Sequence, residues 1–286
     1  MKKIVFLFIF GFTLGNIQAQ ESGVSDDSNN GTWLNHRYTI KLGAYFPLNT
    51  TVVKVGNESG NIGTEIDFAK DLGFSNYSTS FVADLNWRIS RRSSLGFEYF
   101  HLNRSATKTL EKDIEFGDNT YNVNARVSSF FDSQILRVSY GYSFISKPKF
   151  EAGALIGAHV LFTDVGMRLE TSSGSGAEIK DNFDFVAPLP DIGLWGNIAI
   201  AKNLDLFLNG NYFYIEVGDY SGRIFSYSAA FSYNVHRNID IELGYTGLNF
   251  KVDMEKERLN GFLKWGYNGP ALKVAYVFGR PIKIKN

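Results

Sequence analysis

ILRVSYGYSFISKPKFEAGALIGAHVLF, residues 135–162, decides the fold. Taken in twos, one face carries Leu136, Val138, Tyr140, Tyr142 and Phe144, and the other Arg137, Ser139, Gly141 and Ser143. After Ser146-Lys147-Pro148-Lys149 the alternation resumes. Phe150, Ala152, Ala154, Ile156, Ala158, Val160 and Phe162 stand against Glu151, Gly153, Gly157 and His159, with Leu155 and Leu161 the apolar exceptions. A side-chain period of two means strands, and the short turn makes them an antiparallel hairpin. One face is apolar over about ten residues a strand, and the other is small and polar. A transmembrane barrel is built this way, apolar towards lipid and polar towards its lumen.

The same pattern recurs along the chain. Strands are expected near 37–46, with Tyr38, Ile40, Leu42, Ala44 and Phe46 on the lipid face, and again from 81, 95, 192, 204, 225 and 239. The stretch 258–278 changes phase: Leu259, Leu263, Trp265 and Tyr267 are odd, whereas Leu272, Val274, Tyr276 and Phe278 are even. Asn268-Gly269-Pro270 at the switch predicts a β-bulge within one long strand, the alternative being a turn and an eleventh strand. Single-chain bacterial barrels have even strand numbers, so the expectation is an all-β, antiparallel up-and-down transmembrane β-barrel of about ten strands.

Connections near 92, 147, 202 and 237 are tight and alternate with those near 63, 116, 175, 218 and 254, three of them long. Short periplasmic turns and longer extracellular loops fit this asymmetry. Trp87, Tyr142, Phe144, Phe150, Tyr233, Tyr276 and Phe278 gather near the tight turns, at the headgroup level that such rings favour. In the long connection 47–79, Ile66, Phe68, Leu72 and Phe74 predict a loop folded over the barrel mouth.

Composition agrees. The 286 residues hold 25 Phe, 15 Tyr and 28 Gly against 6 Pro, and mean hydropathy is −0.13. After residue 14 no apolar run approaches the roughly 18 residues a membrane helix needs. Twenty-nine basic residues balance 29 acidic ones, which gives nucleic acid no footing. With no cysteine there are no disulfides, thiolate metal sites or lipoprotein anchor. Residues 1–19 read as a signal peptide: Lys2-Lys3, an apolar core over 4–14 and a small-residue exit at Ala19. Export then leaves a loose periplasmic leader over 20–36, the barrel over 37–278 and a tail over 279–286.

Three segments carry a further likeness: Gly63-Thr64-Glu65-Ile66-Asp67 with Asp71-Leu72-Gly73, the run Asp113-Ile114-Glu115-Phe116-Gly117-Asp118, and Ala187-Pro188-Leu189-Pro190. With the signal peptide and the aromatic last strand, the chain resembles an uncharacterised family of Gram-negative outer-membrane β-barrel proteins over 37–278. The resemblance implies fold and cell-envelope location, with no known activity. Such barrels often end on an aromatic that the insertion machinery reads; here Phe278 is followed by eight more residues.

Parity turns Arg37, Lys41, Arg88, Arg137 and Lys273 inward, with Asp84, Glu98, Glu151, Asp191, Asp205, Asp240 and Glu242. Strand order and height gather Arg88, Glu98, Glu151, Asp240, Glu242 and Lys273 in the periplasmic half; with Arg137 they form the candidate lumen charge network. Buried charge is costly unless paired, and ten strands lie nearer a filled interior than a channel, so a salt-bridged plug is expected. A narrow solute pathway is the other reading. Acidic residues in the loops (Glu58, Glu65, Asp67, Asp71, Glu111, Asp113, Glu115 and Asp118) lack EF-hand spacing and read as solvated charge, so no metal or cofactor is expected. The histidines are His36, His101, His159 and His236. Of these only His159 faces inward near the outer rim, and it has no obvious orienting aspartate, so a rim hydrolase is the alternative to a non-enzymatic, structural, adhesive or porin-like barrel. The expected partners are outer-membrane lipid and lipopolysaccharide, plus the insertion machinery, for a monomer.

Overall fold

The computed structural model describes residues 31–34, 36–56, 63–170, 180–218, 220–256 and 259–280. The expected signal peptide, most of the leader and the end of the tail lie outside them. Ten antiparallel strands close into a ring: β1 (Tyr38–Tyr45), β4 (Ser80–Arg88), β5 (Ser93–Thr109), β8 (Arg126–Ser146), β9 (Phe150–Leu169), β10 (Lys180–Ala201), β11 (Leu204–Val217), β12 (Tyr220–His236), β13 (Ile239–Lys256) and β14 (Leu259–Phe278). Each pairs with the next, and β1 closes on β14 from Tyr38↔Phe278 to Tyr45↔Ala271. The expected architecture and strand number are therefore observed.

The outer face is apolar as the alternation required: Leu194, Val186 and Ile156 are 60% or more exposed. At the end bearing the tight turns and both described chain ends, here the turn end, Tyr38 stacks on Trp87 and Phe278 at ring distances of 6.2 and 5.2 Å. The turn between β10 and β11 is Lys202-Asn203, with Asn203 at φ 64°, a conformation asparagine tolerates.

At the opposite, loop end, strands exceed what the lipid pattern alone indicated. The connection 47–79 contains β2 (Leu48–Val55) and β3 (Ile66–Asp67), and the next one contains the hairpin of β6 (Ile114–Phe116) and β7 (Asn119–Tyr121). β2 continues the line of β1 along the upper part of β14, from Leu48↔Asn268 to Val55↔Gly261.

The expected bulge in the last strand is absent. β14 runs in unbroken register against β13, and odd residues face inward throughout. Leu263, Trp265 and Tyr267 are buried inside the barrel with Ala271, Ala275 and Val277. The apolar set changes phase because the lumen changes character, not because the backbone slips. In the loop half the interior is an apolar core. Trp265, with no exposed surface, meets Phe131, Phe250 and Tyr267 at ring distances of 4.9, 5.5 and 5.2 Å. Ile66, Phe68, Leu72 and Phe74, at most 4% exposed, fold into the same core, as their spacing predicted.

Candidate functional site

A cavity of about 340 Å³ occupies the turn half of the lumen beneath that core. Register builds its charged wall. Glu98, Arg137 and His159 stand directly opposite one another across β5, β8 and β9; Lys41 faces Asp84, and Glu242 faces Lys273. Arg137 donates to Glu98 Oε1 at 2.6 Å and to Asp191 Oδ1 at 2.9 Å. Asp191, wholly buried, also lies 2.9 Å from His159 Nδ1, without the alignment of a hydrogen bond. Lys273 donates to Asp84 at 2.6 Å, and Lys41 to Glu242.

At the turn end Arg88 makes a bidentate pair with Glu151, at 2.9 and 2.8 Å, and Ser143 Oγ donates to the same carboxylate at 2.5 Å. Two parallel N–H···O bonds from one guanidinium are the strong geometry for such a pair.

Six of the seven expected network residues thus fall into pairs: Arg88 with Glu151, Arg137 with Glu98, and Lys273 near Glu242 at 3.9 Å. Asp240 joins none of them; its carboxylate accepts from Asn234 Nδ2 at 2.6 Å. Lys41, Asp84, Asp191 and His159 belong to the wall but were outside the candidate network. Parity turns all four inward, and cross-strand register, which parity does not give, supplies the partners. Arg37 lies instead at the barrel end, reaching Ile89 O at 3.5 Å.

The opposite wall is uncharged. Trp195, Asn209, Ser228 and Thr246 are successive cross-strand partners on β10 to β13. One level higher, Asn211 donates to Ser226 Oγ at 3.0 Å and to Asn209 Oδ1 at 3.2 Å.

The turn-end mouth is narrowed by the chain itself. A 3₁₀ turn, Thr32–Leu34, enters it: Thr32 N and Oγ1 both donate to Asp205 Oδ2, the first at 3.0 Å. The Trp33 ring sits edge-on to inward-facing Phe207 at 6.1 Å. Gly31 N donates to Pro148 O at 2.8 Å. A loose leader is not what residues 31–34 form. Burial pushes the neighbouring His36 imidazole below its ordinary value, against the opposing pull of Asp240.

His159 is 5% exposed and lies within the lumen, so the rim position expected of it is corrected. The wall next to Arg137 on β8 and Leu189 on β10 surrounds it. The nearby hydroxyls of Ser133 and Thr163 bond each other at 2.9 Å. Four of the loop carboxylates have structural partners: Asp67 accepts from the amides of Ala69 and Lys70, Asp71 pairs with Lys112 at 3.1 Å, Glu111 with Lys108 at 3.0 Å, and Asp113 accepts from Val123 N at 2.6 Å; Glu58 lies outside the described residues. Among the described residues no group of three or more His, Asp or Glu could hold a metal ion.

No family model and no curated protein matches the sequence, so the likeness drawn from the three short segments stands only for the broad class of barrels. Among solved structures the chain is similar to the outer membrane protease OmpT from Escherichia coli, with a TM-score of 0.53 at 12% identity, covering 84% of this chain and 97% of that one. It also matches outer membrane protein AlkL (TM-score 0.38, 11% identity, 95% and 99% covered) and Ail of Yersinia pestis (0.31, 10%, 84% and 99%). The latter two superpose too loosely to carry an argument, and the first speaks to architecture alone. The fold of this chain is that of the outer-membrane β-barrels.

Proposed function

We propose that the chain is a monomeric, non-enzymatic β-barrel of a Gram-negative outer membrane, with a closed lumen and an adhesive or structural extracellular surface. One observation carries this reading: the apolar core across the loop half of the barrel, centred on Trp265 and Phe131, both without exposed surface. Interiors packed in this way leave few voids larger than a water molecule. The loops above it are joined to one another, which supports a rigid cap: Thr64 N donates to Glu115 O and Glu115 N to Thr64 Oγ1, each at 2.9 Å. Gly117 N donates to Val55 O at 3.3 Å, and Tyr121 OH to Met167 O at 3.0 Å. Planar-bilayer recording tests it. The purified barrel is expected to insert without steady unitary currents, and a stable open level would support the narrow-channel reading instead.

The hydrolase reading gains a carboxylate, Asp191, 2.9 Å from His159 Nδ1. It loses an accessible hydroxyl, since Ser133 and Thr163 are bonded to each other. Cleavage of any lipid or peptide in a panel, lost in His159→Ala, would revive it.

A further inference from the structure

We propose that the turn-half cavity is a binding pocket for an uncharged, polyhydroxylated small molecule, a small sugar or polyol, entering from the periplasmic end. This goes beyond the closed-barrel reading and does not depend on it, because a ligand can enter and leave by one mouth.

The charge inventory of the wall selects the ligand class. The cations Lys41, Lys273, Arg137 and Arg88 each meet a carboxylate within the wall, so no cation is left for an anionic ligand. Asp240, the carboxylate of the lining without a cation, is 6% exposed and held by Asn234. An ion entering the cavity would be desolvated against charges already satisfied, whereas a neutral solute carries no such penalty.

The uncharged wall offers what a polyol needs. Trp195 packs closely over two glycines: a Cβ on Gly153 would stand 2.8 Å from its Cε2, and one on Gly141 would stand 3.3 Å from its Nε1. Those two glycines let the indole rest against β8 and β9, and the residue lines the cavity. Trp195 Nε1 has no hydrogen-bond acceptor among the described residues and remains a donor for an incoming hydroxyl. Beside the ring, at the same level of the barrel, stand Asn209, Ser228 and Thr246. Asn209 Nδ2 donates to Ser228 Oγ at 2.8 Å and Thr246 Oγ1 to Tyr227 O at 3.1 Å, which leaves the second amide N–H of Asn209, the Ser228 hydroxyl hydrogen and the Thr246 Oγ1 lone pairs for a ligand. Adjacent strands are about 4.8 Å apart, so this row sets hydrogen-bonding groups at the regular intervals a ring of hydroxyls can meet. An aromatic plane for the C–H face and a row of amides and hydroxyls for the rim is a mostly preformed site. Its 340 Å³ is at the small end of ligand pockets, which run from about 300 to 1,000 Å³.

The test uses the full mature chain, folded in a detergent without a sugar headgroup and checked by heat-modifiable gel shift. Glucose, maltose and myo-inositol are titrated while tryptophan fluorescence and saturation-transfer NMR are followed. The expected result is saturable binding of at least one probe. It should weaken at least tenfold in Trp195→Leu and in Asn209→Leu, recover in part in Trp195→Phe, and be unchanged in Trp87→Phe on the lipid face. No saturable binding of any of the three probes overturns the proposal. So does equal binding by folded Trp195→Leu and Asn209→Leu variants, or tighter binding of glutamate or phosphate than of the neutral probes. Bilayer currents are read separately, so a conducting barrel would refute the closed lumen and leave the pocket to be judged by binding.

Discussion

Glu151→Gln would leave the Arg88 guanidinium buried without its counter-charge, since both side chains are 8% exposed or less. Removing one partner of such a pair costs about 3–5 kcal/mol. Urea unfolding of the refolded barrel should register that loss. Lys41→Met should cost far less, because the Lys41 side chain is 21% exposed and Glu242 keeps Lys273 nearby. His36 makes the second residue-scale prediction. Its folded-state pKa lies below its ordinary 6.5, so the fold favours the neutral ring. Above that value His36 adds no pH dependence; as pH falls through it, the unfolded chain takes up the proton first and stability declines until the lower folded value is passed. His36→Gln should flatten the unfolding midpoint between pH 7 and 5. What the sequence made legible at this scale was which charges face inward. Which carboxylate meets which cation depends on register: Asp191 beside His159 follows from the pairing of β9 with β10, and Asp84 beside Lys273 from the closure of β1 on β14.

Among the elements, β14 and β10 teach the most. The lipid-facing period was readable because it holds over every strand within the membrane. β14 misled that reading at Leu263, Trp265 and Tyr267, where apolar side chains point inward to a core rather than outward to lipid. Periodicity reports that a face is apolar and is silent on what covers it. β2 and β3 were missed for a related reason: their apolar residues serve that core, β2 follows Pro47 directly, and β3 is only two residues long, just after Gly63. In β10, Pro188 and Pro190 keep their places opposite Val160 and Ala158 of β9, yet the ladder to β11 ends at Ile192↔Tyr212. Proline brings no N–H to a ladder, so the two residues leave one edge of β10 unpaired beyond that point. The double variant Pro188→Val/Pro190→Val restores two donors. Hydrogen exchange at Phe213 and Ile215 of β11 should then slow, and unchanged rates would show that side-chain packing, such as Leu189 against Gly222, holds the strands apart.

Taken whole, the barrel has a mainly apolar half and a polar half, divided near the level of Tyr45, Phe100 and Tyr267, whose rings pack 4.8 to 5.9 Å apart. If the apolar half is what blocks passage, thinning it should create one. Trp265→Ala is expected to cost about 3–5 kcal/mol as a large buried side chain is removed. The double variant Trp265→Ala/Phe131→Ala should show brief current bursts in bilayers where the parent shows none. A silent double variant would place the barrier in the interlocked loops instead.

The docked turn at Thr32–Leu34 sets an order of events. Its anchor, Asp205, is 173 positions away in the chain and stands on β11, while the turn is tethered beside β1, the strand that β14 must find to complete the cylinder. Until β1 and β14 zip together, Thr32 has no enclosed mouth to occupy. Its seating is expected to follow closure of the ring, and a label at Trp33 whose signal changes together with β1–β14 pairing, or after it, would bear that out.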